Sequence, residues 1–174
     1  MEYVSLYETG LGVGAVVATE KGISTVQLPH AGSEPFINQL KQKSGESTQL
    51  TEQVALSLKS YFKGEPQAFD MIPVDLSTLT EFRARILQLI RTIPHGEIRS
   101  YGDVAAMAGV PRAARAIGGV MAANPLPVII PCHRIVAANG RLTGYSAPGG
   151  LDMKRILLRM ERVEFKGEVV VKKC

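Results

Sequence analysis

Residues 65–77, EPQAFDMIPVDLS, interrupt the periodic patterns on either side of them and divide the chain into two stretches with different grammar. Pro66 and Pro73 each remove a backbone donor and fix a backbone dihedral, so neither a helix nor a central strand runs through. The segment reads as a linker. It places an N-terminal domain, linker included, over residues 1–75 and a C-terminal domain over residues 76–174.

Ahead of the break the apolar residues come in short β-branched runs. Val4 to Tyr7, Gly12 to Thr19 and Ile23 to Leu28 are strand-like, and Glu20-Lys21-Gly22 supplies a hairpin turn between the last two. Leu50, Val54, Leu58, Tyr61 and Phe62 then share one helical face, which Gly64 and Pro66 end. After the break the period becomes helical. Phe82, Ile86, Leu89, Ile90 and Ile93 form one stripe, halted at Pro94 and Gly96. Ser100 with Asp103 three residues on forms an N-terminal capping pair for a short helix through Met107, ending at Gly109. Pro111 suits the first turn of the next helix, which runs to Asn124-Pro125. Two short helices joined by a tight glycine-containing turn read as a helix-turn-helix. Overall the pattern predicts an α+β chain: a small mixed α/β domain followed by a mainly helical one.

The second helix of that pair carries Ala113, Ala114, Gly118, Gly119, Ala122 and Ala123, so its backbone can come close to whatever it faces. Tight packing on another helix explains this as well as approach to a DNA groove flanked by Arg112 and Arg115 does. The net charge of +4 fits a polyanionic partner and equally fits an ordinary solvated surface. No run approaches the roughly 18 apolar residues of a membrane span, and MEYVSLYETG lacks the layout of a secretory signal, so an intracellular, cytoplasmic protein is expected. Two distant cysteines, Cys132 and Cys174, make no disulfide framework. Three histidines without paired spacing argue against structural zinc. Cys174 is expected to be an exposed bystander.

Pro127 to Pro131 reads as a strand leading into Cys132-His133-Arg134, followed by an Ala-Ala-Asn-Gly turn. A closing helix is expected to carry Leu151, Ile156, Leu157 and Met160 on one side with Glu161 near its end, and EFKGEVVVKKC reads as a terminal strand. A buried cysteine is ordinarily an inert small hydrophobe. Here polar groups break an apolar run at Cys132. A thiol with an ordinary pKa of about 8.5 needs a base or positive neighbours to act as a thiolate, and His133 and Arg134 supply both. Glu161 is available to orient the histidine in a Cys, His, Glu relay.

The stretch NPLPVIIPCHRIVAANGRLTGYSAPGGLDMKRILLRME, residues 124–161, resembles the signature region of the O6-alkylguanine-DNA alkyltransferases. The likeness continues upstream through VPRAARAIGGVMAANP, IPHGEIRSYGDVAAMAG and SYFKGEPQAFDMIPVDL. The resemblance implies a ribonuclease H-like N-terminal domain, a winged-helix-like C-terminal domain, and irreversible alkyl transfer from O6-alkylguanine, with O4-alkylthymine as a further substrate, in double-stranded DNA. It makes Cys132 the acceptor, His133 its activator through a water, and Glu161 the residue that orients the histidine. Asn124 becomes the tie on the Cys132 loop, and Tyr101 the residue that assists base flipping and donates a proton. Arg115 takes the place of the flipped nucleotide, with Arg112 and Ala114 on the same DNA-binding helix. Tyr145, Ser146, Pro127 and Met121 line the substrate pocket. No cofactor, metal or membrane is implied, and a monomer is expected. Leu87 and His95 stand where aromatics are common in the family, and the loop Ser-Ala-Pro-Gly-Gly after Tyr145 is longer than in some members. Three rivals remain: a lesion-flagging module, whose members lack the cysteine that this sequence has; a helix-turn-helix regulator; and a thiol hydrolase, for which no cleft or oxyanion hole is legible.

Overall fold

A computed structural model of the chain describes residues 1–43 and 46–171. Cys174 lies outside the described residues. Contacts divide the chain into two compact units, Met1–Thr78 and Leu79–Cys174.

In the first unit three strands, β1 (Tyr3–Thr9), β2 (Gly12–Thr19) and β3 (Gly22–His30), form an antiparallel meander with β2 in the centre. Ala15, Val16, Val17 and Ala18 of β2 are all buried, as a central strand covered on both faces requires. Helices α1 (Glu34–Lys43) and α2 (Gln49–Tyr61) pack on this sheet. The α2 helix starts at Thr48, whose side chain accepts from Thr51 N while Thr51 answers in return. The sequence pattern does not show α1, because among its apolar residues Ile37 is buried while Phe36 is exposed, leaving no stripe to detect. The proline-bearing segment read as a linker belongs to this unit by its contacts. Ile23 N donates to the Pro73 carbonyl (2.9 Å) and Asp75 N to the Ile23 carbonyl (2.8 Å), so the segment adds a single bridge beside β3. Asp75 also accepts from the Thr19 and Ser77 hydroxyls, which hold its carboxyl down at about 2.

The second unit begins with α3 (Glu81–Arg91), capped by the Thr80 side chain. Its buried face is Ile86, Leu87 and Ile90; Phe82, expected in that stripe, is exposed. A two-residue strand β4 (Arg99–Ser100) leads into α4 (Tyr101–Met107), where Ser100 and Asp103 form the expected reciprocal cap. Helix α5 (Ala114–Ala122) follows after a short turn and packs on α4. It starts later than expected: Pro111 lies in the preceding turn, because the Ala113 amide closes back onto the Val110 carbonyl (2.8 Å) before the helix begins.

Residues 127–131 are not a strand. A lone bridge joins Pro127 to Ile130, and Val128 has φ 74, left-handed backbone that a β-branched side chain rarely adopts. The run is apolar because Leu126, Val128, Ile129 and Ile130 fill the core from a compact turn. A single 3-10 turn, Cys132–Arg134, then passes into β5 (Ile135–Val136), which pairs in parallel with β4. The Ala-Ala-Asn-Gly turn closes through Gly140 N to the Ala137 carbonyl (2.8 Å).

Helix α6 (Gly150–Met160) presents a face that shares only Leu157 with the buried stripe expected. Met153, Lys154, Leu157 and Leu158 are buried, while Leu151 is exposed. The tail forms a hairpin of β6 (Phe165–Lys166) and β7 (Val169–Val170), not one strand. Val170 joins Ile98, Val136, Leu158 and Val163 in a core cluster under β5. The α/β architecture with a helical second half is thus the one the sequence implies.

Candidate active site

Cys132 sits at the start of the 3-10 turn, 6% exposed, at the wall of a cleft of about 360 Å3. Tyr101 from α4, Gly118, Met121 and Ala122 from α5, and Thr143, Gly144, Tyr145 and Ser146 from the loop before α6 form the remaining walls. The cleft is therefore bounded on one side by the second helix of the helix-turn-helix pair. Pro127 is buried and is not part of the wall.

The cysteine is positioned by backbone closure. Its amide donates to the Ile130 carbonyl (2.8 Å), and the Asn124 amide donates to that same oxygen (2.9 Å) while its own oxygen accepts from Leu126 N (3.0 Å). Asn124 thereby pins both ends of the buried turn that carries Cys132. Burial raises the thiol's pKa; hydrogen bonds from Asn124 and Tyr145 and the Lys154 charge work against the rise.

Behind the cysteine lies a fully buried polar cluster. His133 Nε2 meets Glu161 Oε1 at 2.7 Å, and Arg134 reaches both carboxylate oxygens, Nε to Oε2 at 2.8 Å and Nη2 to Oε1 at 2.9 Å. Arg134 Nη1 donates to the Ile93 carbonyl, and Gly96 N donates to Glu161 Oε2 (3.1 Å). Burial alone would raise the Glu161 carboxyl, but the charge and hydrogen bonds of His133 and Arg134 prevail and hold it far below the usual carboxylate range. Burial lowers His133, with Arg134 and Lys154 adding to the effect and Glu161 opposing it. A neutral His133 donates Nε2–H to the carboxylate, which leaves Nδ1 as its basic nitrogen. Gly96 has φ 78, and a Cβ there would meet the Glu161 carbonyl oxygen at 3.1 Å, so the Pro94–Gly96 turn closes over the carboxylate only without a side chain.

The Tyr101 hydroxyl donates to the Thr143 carbonyl (3.3 Å) and the Ser146 hydroxyl to the Ala122 carbonyl (2.7 Å), tying the cleft loop to both helices. Burial raises the Tyr101 pKa, so it stays a protonated phenol. Arg112 and Arg115 are exposed on and before α5, and Ala114 is half-buried at its first turn. The small residues of α5 are not spent on close packing. A Cβ on Gly119 would meet no atom within 4 Å, and one on Gly118 only the Tyr101 ring at 3.9 Å.

Cys132, Tyr101, Met121, Tyr145 and Ser146 are thus brought together around one cleft, with Asn124, His133 and Glu161 set behind it. Sequence reasoning did not single out Lys154 or Thr143, nor the grip of Arg134 on Glu161. The spacing of Met153 with Leu157 and of Lys154 with Leu158 signals a buried pair of ridges, but a lysine on such a ridge reads as solvent-facing. Among the described residues no cluster of metal-ligating side chains occurs, and no helix is long and apolar enough to cross a membrane.

A cleft that holds a buried cysteine beside the second helix of a helix-turn-helix unit is the arrangement expected of a DNA-binding protein with a reactive thiol. Residues 81–163 match the family model described as 6-O-methylguanine DNA methyltransferase, DNA binding domain, and residues 3–76 match its ribonuclease-like domain. The chain belongs to the 6-O-methylguanine DNA methyltransferase family. It is 33% identical over 166 residues to the constitutive methylated-DNA–protein-cysteine methyltransferase of Bacillus subtilis, covering 95% of this chain and 99% of that one. A relative of the same name from Mycolicibacterium paratuberculosis is 49% identical over 105 residues, 60% of this chain and 61% of that protein. Among solved structures, the Mycobacterium tuberculosis O6-methylguanine methyltransferase superposes with TM-score 0.76 at 33% identity over 93% of both chains. The complex of the M. tuberculosis protein with DNA superposes with the same score at 32% identity over 92% of both.

Proposed function

We propose that this protein repairs DNA by moving an alkyl group from O6 of guanine onto Cys132 Sγ, once per molecule. The observation that carries this reading is the placement of a buried cysteine, backed by the His133–Glu161 pair, in a cleft walled by helix α5 of the DNA-binding unit. A stacked and paired base cannot present its O6 alkyl carbon for in-line attack, so the nucleotide is rotated out of the duplex into the cleft. Arg115 then fills the vacated place, and Arg112 with the first turn of α5 contacts the backbone. The open glycine and alanine face of α5 suits close approach in the minor groove, which has low sequence content and fits a repair protein.

In the transfer step the Sγ–C bond forms as the C–O6 bond breaks. The electron pair of the broken bond goes to O6 and the guanine ring, which takes a proton from the Tyr101 phenol, and the phenol regains its proton from water. His133 receives the thiol proton through a water and Glu161 stabilises the imidazolium. Ser146 and Tyr145 hold the leaving base. The thioether is a poor leaving group, so the product is permanent and the protein acts stoichiometrically, as a monomer without a cofactor. O4-alkylthymine, which carries its alkyl group on an equivalent oxygen, is a second substrate. This reading includes a cytoplasmic location with access to nucleoid DNA.

The test is peptide mass spectrometry after incubation with a duplex holding O6-methylguanine, beside Cys132→Ala. One methyl on Cys132, saturating at one per chain and absent from the variant, is the expected result. DNA binding with no mass gain would leave only a lesion-flagging module.

A further inference from the structure

Lys154 is 1% exposed, in the middle of the buried stripe of α6, where a leucine or methionine would be the ordinary occupant. Burying an ammonium is unfavourable unless the site gives it partners. Its Nζ donates to the Ile135 carbonyl (2.6 Å), one residue beyond the Cys132–Arg134 turn, and to the Thr143 carbonyl (3.1 Å) in the cleft loop. Thr143 O also accepts the Tyr101 hydroxyl, so one carbonyl joins the lysine to the phenol at the cleft wall. The lysine therefore spans the backbone that follows the cysteine and the loop that faces it.

Two neutral carbonyls do not by themselves call for a full charge; a neutral donor would serve them. The group that does is Cys132, with which Lys154 interacts electrostatically in both directions. Among the described residues, the other polar or titratable side chains around the thiol are Asn124, Tyr101, Thr143, Tyr145 and Ser146 at the cleft, with His133, Arg134 and Glu161 behind. Arg134 is already committed to Glu161 and the Ile93 carbonyl. We propose that Lys154 is a positioning residue of the alkyl-transfer site, whose buried ammonium fixes the Ile135 and Thr143 carbonyls and favours the thiolate form of Cys132. Burial brings the ammonium down to about 8, while the Cys132 charge opposes that fall, so protonation of one group bears on protonation of the other. Alkylation turns the thiolate into a neutral thioether. Lys154 then keeps its cost of burial and can no longer gain a counter-charge, so the repaired protein is weaker than the fresh one at pH values where the thiolate forms.

This inference rests on Cys132 being the acceptor, and its test does not depend on DNA. The rate of Cys132 alkylation by iodoacetamide is measured against pH by peptide mass spectrometry, which separates Cys132 from Cys174, in the parent, Lys154→Met, Lys154→Gln and Lys154→Arg. The midpoint of the profile is expected to rise by about one pH unit in the Met and Gln variants, equivalent to about tenfold slower reaction at pH 7. Lys154→Arg, which keeps the charge, is expected to stay closer to the parent. Affinity for unmodified duplex is measured alongside as a check that each variant is folded. Folded Met or Gln variants with an unshifted profile would overturn the proposal. If neither folds, Lys154→Arg carries the test: a parent-like profile supports a charge effect, and a profile raised by a full unit despite the retained charge refutes it. A second readout is the change in Tm on methylation of Cys132, expected to be a decrease that shrinks in Lys154→Met. A parent protein that takes no methyl from DNA yet shows the shifted iodoacetamide profiles would sink the repair reading and leave the lysine's role standing.

Discussion

Asn124 Nδ2 and the Cys132 amide converge on one acceptor, the Ile130 carbonyl, at 2.9 and 2.8 Å. The asparagine thus sets the height of the cysteine above the buried turn and also hydrogen-bonds its thiol. Asn124→Ala removes both contacts together with the acceptor for Leu126 N. Each lost bond in a buried setting is worth about 1 kcal/mol, so urea unfolding should show a loss of about 1–3 kcal/mol. Methyl transfer in single-turnover assays should slow by more than about tenfold, because a thiol displaced by even about 1 Å loses in-line geometry. A variant as fast as the parent would remove Asn124 from the positioning machinery.

Glu161 is the hub of the buried cluster, and its replacement tests that directly. Glu161→Gln keeps the shape but leaves Arg134 with no carboxylate inside the protein. Breaking one side of a buried ion pair is destabilising by about 3–5 kcal/mol. A drop in Tm well beyond about 5 °C is expected by calorimetry. A change of a degree or two would mean that Arg134 finds solvent, contrary to its 7% exposure.

The same cluster fixes the sign of the pH dependence. His133 and Glu161 both have folded pKa values below their unfolded ones, about 6.5 and 4.3. The unfolded chain therefore binds more protons, and stability falls on acidification. The loss from His133 starts as pH drops through about 6.5, and that from Glu161 begins below about 4.3 and continues to the most acid conditions. Urea midpoints at pH 8, 6.5, 5 and 4 should decline steadily at the acid end, and His133→Asn should flatten the part between pH 6.5 and 5. A parent midpoint unchanged from pH 8 to pH 4 would contradict the cluster's electrostatics.

How much of this was legible beforehand follows from what each element depends on. The meander strands and the Ser100–Asp103 cap were readable because alternation and capping are local signals. Helix α1 was not, since Ile37 gives it a single buried anchor and no period. The run at 127–131 has strand composition, but its turn is held by Asn124 and carries Val128 at positive φ, a backbone angle that leaves no compositional trace. Cys132, His133, Asn124 and Glu161 were named from a motif and a resemblance. The convergence of Arg134 and Gly96 on Glu161, with the Ile93 carbonyl accepting from Arg134, links positions up to 65 residues apart and is visible only in three dimensions. On α6, the expected apolar stripe included Leu151, which is exposed, and left out Met153, Lys154 and Leu158, which are buried.

The α5 surface gives the last prediction, in which stability and DNA affinity move in opposite directions. Gly119 is exposed in mid-helix with nothing within 4 Å of a Cβ, so packing does not require glycine there. Gly119→Ala should raise stability by about 0.5–1 kcal/mol through helix propensity and the restricted unfolded chain. A helix backbone lying against a narrow groove tolerates no added bulk, so Gly119→Leu should keep its stability and weaken duplex binding by at least about tenfold, roughly 1.4 kcal/mol. Arg112→Ala should also weaken binding, but through charge, lowering the slope of log affinity against log salt by about 1, whereas Gly119→Leu leaves that slope unchanged. Fluorescence anisotropy across a salt series separates the two. Parent-like affinity in Gly119→Leu would show that the open face of α5 does not meet DNA, and that the arginines dock the protein by another surface.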